Sequence, residues 1–210
     1  MIVIHFVKAN RKGFSMGRSQ LEKQKTHERI VELAAKRLRE EGLDGIGVAD
    51  LMKEAGLTVG GFYKHFASRD ELVAEAVQSA VGSWRKQQEE KGIDPKSIPL
   101  GVFVDSYLSE SHRDHCGEGC AYAALTADMA RSSDAVRTIA TEGLRQNFDA
   151  MQARMPQPET GDARRKAIIA SCLMTGAVGL ARVANDEALS SEILETVKQF
   201  VKDLAKTEGK

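Results

Sequence analysis

The sequence predicts an all-α protein, and three observations carry that prediction. Apolar residues recur at intervals of three and four, as in Ile30, Leu33, Ala34 and Leu38, and again in Leu72, Val73, Ala76, Val77, Ala80, Val81 and Trp84. No convincing alternating strand occurs; the run Ile2 to Val7 reads at most as an isolated short strand outside the core. The four prolines fall in two pairs, Pro95 with Pro99 and Pro156 with Pro158, each inside polar sequence that breaks a helical pattern and marks a loop. With 210 residues, 42% hydrophobic and 29% charged, the chain is long enough for one large or two small packed domains.

Taken in order, residues 1–20 are expected to form a flexible basic arm, and Met16 offers a plausible alternative start. Lys8, Arg11, Lys12, Arg18, Lys23 and Lys25 lead into the first helix with only Glu22 among them. Formal net charge is zero, but residues 1–69 hold 13 Lys and Arg against 8 Asp and Glu, and residues 70–210 hold 17 against 22. One end is basic, which suits either a nucleic-acid backbone or a solvated tail.

The first helix is predicted over 24–41, stopping at Gly42, a residue type suited to the left-handed terminator position. A second covers 48–55, with Val48, Leu51, Met52 and Ala55 on one face, and ends at Gly56. A third starts after Thr58, which is expected to cap it, and ends near Phe66. Ser68 then opens a long fourth helix, with Glu71 three residues on to complete a capping box. The second and third helices with their short turn follow the helix-turn-helix plan, in which the second member lies in the major groove of DNA. Short helix pairs also occur in proteins that bind no DNA.

A wheel at 100° per residue puts Val59, Phe62 and Phe66 of the third helix on one packing face. Gly60, Gly61 and Lys64 fall opposite, flanked by Tyr63 and His65. Each glycine in a helix costs about 1 kcal/mol relative to alanine, and close approach of backbone to DNA is a reason to accept that.

The run GLDGIGVADLMKEAGLTVGGFYKHFASRDEL, residues 42–72, resembles the N-terminal signature of tetracycline-repressor (TetR) family transcriptional regulators. Tyr63, His65, Phe66, Ser68, Arg69, Glu71 and Leu72 follow the family's Tyr-x-His-Phe and Ser-basic-x-Glu-Leu order without gaps. The resemblance implies a homeodomain-like helix-turn-helix domain at 21–68 and a helical effector-binding and dimerisation domain at 69–207. It also implies a homodimer on a palindromic operator, usually a repressor, released by a small-molecule effector and needing no cofactor. Thr58, Val59, Gly60, Gly61, Tyr63, Lys64, His65, Arg69 and Gly47 become the expected DNA-facing set. Thr58, Tyr63 and Arg69 are assigned to phosphate and Lys64 to bases. Two residues depart from the pattern: Gly47 stands where Ser or Thr is common, and Gly61 where Thr often contacts DNA.

Residues 163–184 carry a small-residue stripe of Ala170, Thr175, Gly176, Ala177 and Gly179. Leu189, Ile193, Leu194, Val197, Phe200, Val201 and Leu204 give the last helix a broad apolar face. These two helices are the expected dimer interface, unless their faces complete the monomer's own core. Trp84, Phe103, Tyr107, Tyr122, Leu125, Met129, Phe148 and Met151 are candidates to line an effector pocket, or plain core residues.

The stretch SHRDHCGEGCAYAAL, residues 111–125, offers His112, His115, Cys116 and Cys120. Their spacing is not a common zinc pattern, so metal is not expected. Thiol- or metal-responsive regulation through Cys116 and Cys120 is the alternative to simple packing, since Cys120 sits near a helix N-terminus. Cys172, amid Ile168, Ile169 and Leu173, is expected in the core. Three cysteines make no disulfide framework. An enzyme is not expected, because no acid–base pair and no phosphate-cradling glycine loop is present. The first residues are apolar and then basic, the reverse of a secretory signal, and no run nears the roughly 20 apolar residues of a membrane span. A cytoplasmic protein is expected.

Overall fold

A computed structural model describes residues 11–204 and Lys206, with side chains from Gln20 onward. The expected Ile2 to Val7 run and the first ten residues of the arm lie outside the described residues. Among the described residues there are nine α-helices and three short 3-10 segments, and no strand.

Helix α1 spans Arg11–Glu41, beginning thirteen residues before the expected Gln24. Residues 11–20, expected as arm, are helical and continuous with it. The apolar periodicity that locates a helix in sequence starts only where the helix meets a core, so the polar extension left no trace. Gly42 ends α1 at φ +82°, and Gly56 follows α2 (Val48–Glu54) at φ +70°, so both terminators take the left-handed geometry their residue type predicts.

After α2 the expected third α-helix is a 3-10 segment, Val59–Lys64. Its 120° per residue replaces the 100° assumed from sequence. Val59, expected on the packing face, is 51% exposed, while Phe62 and Phe66 are buried. Leu57, just before the segment, packs against the core in its place. Thr58 holds the cap position in extended geometry but makes no side-chain cap hydrogen bond, contrary to expectation.

Helix α3, Arg69–Glu90, opens on Ser68, whose Oγ accepts from the Glu71 amide at 3.1 Å. The Glu71 carboxylate reaches back to the Ala67 amide, one residue before the usual capping-box partner. A 3-10 turn, Pro95–Ser97, leads into α4 (Leu100–Tyr107) and α5 (Glu110–Asp114). The turn Cys116–Glu118 precedes α6 (Ala121–Arg131), α7 (Asp134–Gln152), α8 (Gly161–Val183) and α9 (Glu187–Leu204).

Two apolar clusters hold these elements. The first gathers Ile30 and Leu38 of α1, Leu51 and Met52 of α2, Phe62, Phe66, the first half of α3, and Tyr122, Leu125 and Met129 of α6. The second joins Val104 and Leu108 to Met151, Met174, Val178, Leu194 and Val201, binding α4, α7, α8 and α9. Burying one Phe or Leu contributes about 1.5–3 kcal/mol, so Phe62 and Phe66 together outweigh the two glycines of their own turn.

Helix α8 is long and apolar enough, by length and composition alone, to cross a membrane. Its Ala163, Ala167, Ala170, Met174, Val178 and Ala181 face the second cluster. Ile169, Leu173, Leu180 and Val183, with Ile168 at their edge, form an exposed stripe, and Cys172 lies exposed among them rather than in the core.

Candidate nucleic-acid interface and effector region

The turn from α2 into Val59–Lys64 presents one face outward. Tyr63 is 75% exposed, its ring edge-on to buried Phe62 at 5.3 Å. Thr58, Gly60 and Lys64 are exposed beside it and Gly61 is half-buried. The Thr58 hydroxyl makes no cap hydrogen bond among the described residues, which leaves it available to an outside acceptor. Neither glycine is demanded by backbone conformation, since the positive-φ glycines described are Gly42, Gly56 and Gly92. A Cβ on Gly60 would meet nothing within 4 Å, and one on Gly61 would make only ordinary contacts, 3.6 Å to Met52 Cε and 3.7 Å to Thr58 Oγ1. The fold tolerates side chains at both positions and the sequence supplies none.

Gly47, the α2 cap, offers no side chain to the first turn of its helix. Arg69 departs from expectation. Its guanidinium donates to the Leu43 carbonyl at 2.7 Å and the Ile46 carbonyl at 3.4 Å, so it ties α3 to the loop 42–47 instead of facing outward. Arg29 makes a comparable tie, donating to the Ala55 carbonyl at 3.0 Å and securing the end of α2.

His65 is half-buried between the outer face and α1. Burial, then the nearby His27, Lys23 and Lys64, push its imidazole below the usual range. Beside it, Glu22, Lys23, Thr26, Lys64 and His65 line an open surface groove joining α1 to the end of the 3-10 segment. Two lysines at one groove make a cradle for an anion, and Glu22 is the opposing charge. Sequence reasoning missed what supports this corner. His27 stacks on Phe66 at 4.6 Å and 28°, and its Nε2 lies 2.6 Å from the Glu75 carboxylate of α3. The two residues are 48 apart in sequence, so no local pattern pairs them.

The expected effector residues divide between the two cores. Tyr122, Leu125 and Met129 pack in the first cluster, and the Tyr122 hydroxyl donates to the Ala140 carbonyl at 2.7 Å. Met151 is core of the second, while Phe148 lies half-buried with Arg164 over its ring at 5.6 Å. What comes together is a row: Trp84 edge-on to Phe103 at 5.2 Å, Phe103 to Tyr107 at 5.8 Å, and Tyr107 to His112 at 4.6 Å. Arg154 lies over Phe103 at 4.6 Å and donates to the Ile98 and Pro95 carbonyls. At the inner end the Tyr107 hydroxyl lies 3.3 Å from Thr175 Oγ1, and burial raises its pKa.

The His and Cys residues of 111–120 do not converge on a metal: no group of three potential ligands forms among the described residues. His115 Nδ1 bonds the Ser111 carbonyl at 2.8 Å, and the Cys116 thiol donates to the Arg39 carbonyl at 2.9 Å. Cys120 caps α6 with its backbone alone.

A helix-turn-helix with an outward polar and glycine face, carried on an all-α body, defines the class. Residues 30–76 match the model of the bacterial regulatory proteins of the tetR family. The HTH-type transcriptional repressor KstR2 of Mycobacterium tuberculosis is 32% identical over 87 residues, covering 40% of this chain and 43% of the repressor. The chain thus spans less than half the length of that relative. The reduced form of Escherichia coli NemR is similar in fold, with TM-score 0.70 and 18% identity over 89% of this chain and 100% of that one. The Bacillus subtilis transcriptional regulator FadR, solved in complex with stearoyl-CoA, superposes with TM-score 0.56 and 17% identity over 80% of this chain and 95% of its own.

Proposed function

We propose that the chain is a one-component transcriptional regulator, most simply a repressor, that binds a palindromic DNA operator as a homodimer and is released by a small-molecule effector in the cytoplasm. The observation that carries this is the outward face of Val59–Lys64, where Thr58, Tyr63 and Lys64 surround two glycines that the fold itself does not require. Thr58 and Tyr63 serve phosphates, Lys64 serves a base edge or phosphate, and the glycines bring backbone close to the groove. Lys23 and Thr26 join the phosphate-facing set through the groove they share with Lys64. Arg69 does not belong to it.

The exposed apolar stripes of α8 and α9 support the dimer, and two reading turns about 34 Å apart, one helical turn of DNA, would engage matching half-sites. The row from Trp84 to Tyr107 is the effector wall that the geometry supports best, and the B. subtilis neighbour with a bound acyl-CoA favours a small-molecule effector. The proposal gives no residue a catalytic role.

Anisotropy titrations of the full chain on duplexes from the intergenic DNA beside its gene test the reading. Tight binding to one duplex, with log K falling steeply as log salt rises, is expected. Lys64→Ala should lower affinity by about 1–3 kcal/mol if it reads a base, with relaxed sequence preference. Tyr63→Phe should cost less and leave the preference unchanged. Equal weak binding to all duplexes would overturn the regulator reading.

A further inference from the structure

Residues 115–120 are where the body of the protein meets α1, and one imidazole sets their geometry. His112 of α5 lies edge-on to Tyr107, with ring centroids 4.6 Å apart at 70°. Its Nδ1 is 2.6 Å from the Tyr107 carbonyl oxygen, and its Nε2 is 2.8 Å from the Cys120 backbone nitrogen. A carbonyl only accepts and an amide N–H only donates, so these partners assign the tautomer: Nδ1 carries the proton and Nε2 keeps its lone pair. Cys120 is the cap residue of α6 and brings no side-chain cap, so the ring satisfies its amide much as a capping-box carboxylate would.

The fit around the ring is close. A Cβ at Gly119 would stand 2.8 Å from His112 Cδ2 and Nε2 and 3.0 Å from Arg182 Nη2. From α8, Arg182 donates to the His112 carbonyl at 2.8 Å and the Arg113 carbonyl at 2.9 Å. On the far side of the same segment, Arg39 of α1, only 8% exposed, donates through Nε to the Gly117 carbonyl at 2.7 Å. The Cys116 thiol returns a bond to the Arg39 carbonyl. One face of residues 115–120 therefore answers to the end of α4, and the other holds the DNA-binding domain.

We propose that His112 is a proton-operated joint: neutral, it clamps the first turn of α6 and residues 115–120 in the arrangement that grips α1, and protonated, it lets them go. Its consequence for DNA rests on the regulator reading above. A proton added to Nε2 takes away the acceptor of the Cys120 amide and sets an N–H against an N–H at the positive end of a helix. The titratable and charged groups facing the ring are Tyr107 from α4, Cys120 from the cap of α6 and Arg182 from α8, with Arg39 of α1 beyond Gly117. Arg113, on its own helix, is already engaged by Asp114 at 2.6 Å and Glu187 at 2.9 Å. None of those facing groups is a carboxylate able to balance an imidazolium. Burial holds His112 below the usual histidine range, the Tyr107 carbonyl partly offsets this, and Arg182 lowers it further. The native pKa thus lies under the unfolded value near 6.5. The clamp is fully present above about pH 6.5 and is lost as pH falls toward the native pKa.

The test uses the full chain and its His112→Gln variant between pH 8 and 5.5. Without DNA, amide exchange across residues 115–125, corrected for the intrinsic pH dependence of exchange, should lose protection on acidification in the wild type and stay level in the variant. The DNA probe is a duplex selected from a random-sequence pool by the wild type at pH 8. On it, wild-type affinity should fall about tenfold more than that of the variant across the same range. Contributions from the rest of the chain, His65 included, are common to both proteins and cancel. Matching pH profiles of the two proteins in the exchange measurement would overturn the joint. If no duplex is selected, the regulator reading falls while the exchange measurement still decides the joint. If His112→Gln does not fold, the nitrogen-15 shifts of the His112 ring in the wild type decide instead. The Nδ1–H tautomer persisting below pH 6.5 and then titrating together with the loss of protection supports the proposal. Titration at or above 6.5 without that loss refutes it.

Discussion

At the scale of single residues, Gly60 and Gly61 separate what the fold needs from what DNA would need. Gly60 sits in open space, a Cβ at Gly61 would make only ordinary contacts, and both have backbone that any residue adopts, so alanine at Gly60 should stabilise the chain by about 0.4–1 kcal/mol through a less flexible unfolded state. If the bare backbone is there for the groove, the same substitution weakens operator binding. Thermal unfolding and anisotropy on one Gly60→Ala sample should therefore move in opposite directions. Gly61→Thr restores a common family contact and should shift sequence preference more than overall affinity, read by selection from a random pool. Preference unchanged in that selection would argue that Gly61 does not face bases. The presence of these glycines was legible in the sequence; that the fold leaves room for larger residues at both was not.

At the scale of elements, legibility followed whether a signal is local. Gly42, Gly56 and Ser68 mark their boundaries because a terminator or a cap acts within one turn. The 3-10 geometry of Val59–Lys64 was not legible, since six residues between two breaks carry too few apolar positions to tell a period of 3.0 from one of 3.6. Val59 was misplaced for that reason. Arg69 shows another limit: a basic residue at the start of α3 looks like a phosphate contact, and no local pattern reveals its bonds to the carbonyls of Leu43 and Ile46, more than twenty residues away. Arg69→Ala should destabilise the chain by roughly 1.5–3 kcal/mol, the range for hydrogen bonds to a charged group. A denaturant midpoint unchanged in Arg69→Ala, with DNA affinity lost, would return the residue to the interface.

At the scale of the whole molecule, the apolar surface left over after both cores close is concentrated on α8 and α9. Leu180, Val183, Leu189 and Phe200 are each at least half exposed, with Val183 at 80%. A second copy covering this face is the arrangement the proposed function requires. Leu180→Glu with Phe200→Glu should give a folded monomer by sedimentation velocity, with operator affinity reduced far more than either single change produces. A double variant that remains dimeric would move the interface elsewhere. Sequence periodicity pointed to these helices, because a stripe of exposed apolar residues and a stripe of buried ones share the same spacing. It could not divide one stripe from the other, which is why Cys172 was expected inside. The effector residues were least legible: aromatic and Met positions on helices look alike whether they fill a core, as Leu125 and Met129 do, or form a row, as Trp84, Phe103 and Tyr107 do.

Helix α1 carries Arg39 near one end and Lys23 toward the other, sixteen residues earlier on the same unbroken helix. At 1.5 Å per residue the two lie about 24 Å apart, so a tilt of about 5° pivoting at Arg39 swings Lys23 by about 2 Å. That is enough to lift a lysine from a phosphate oxygen. The helix is then a rigid lever, with a polar fulcrum of two hydrogen bonds at Gly117 and Cys116 and its working end beside Lys64. A shift of residues 115–120 would be magnified at the face proposed to meet DNA.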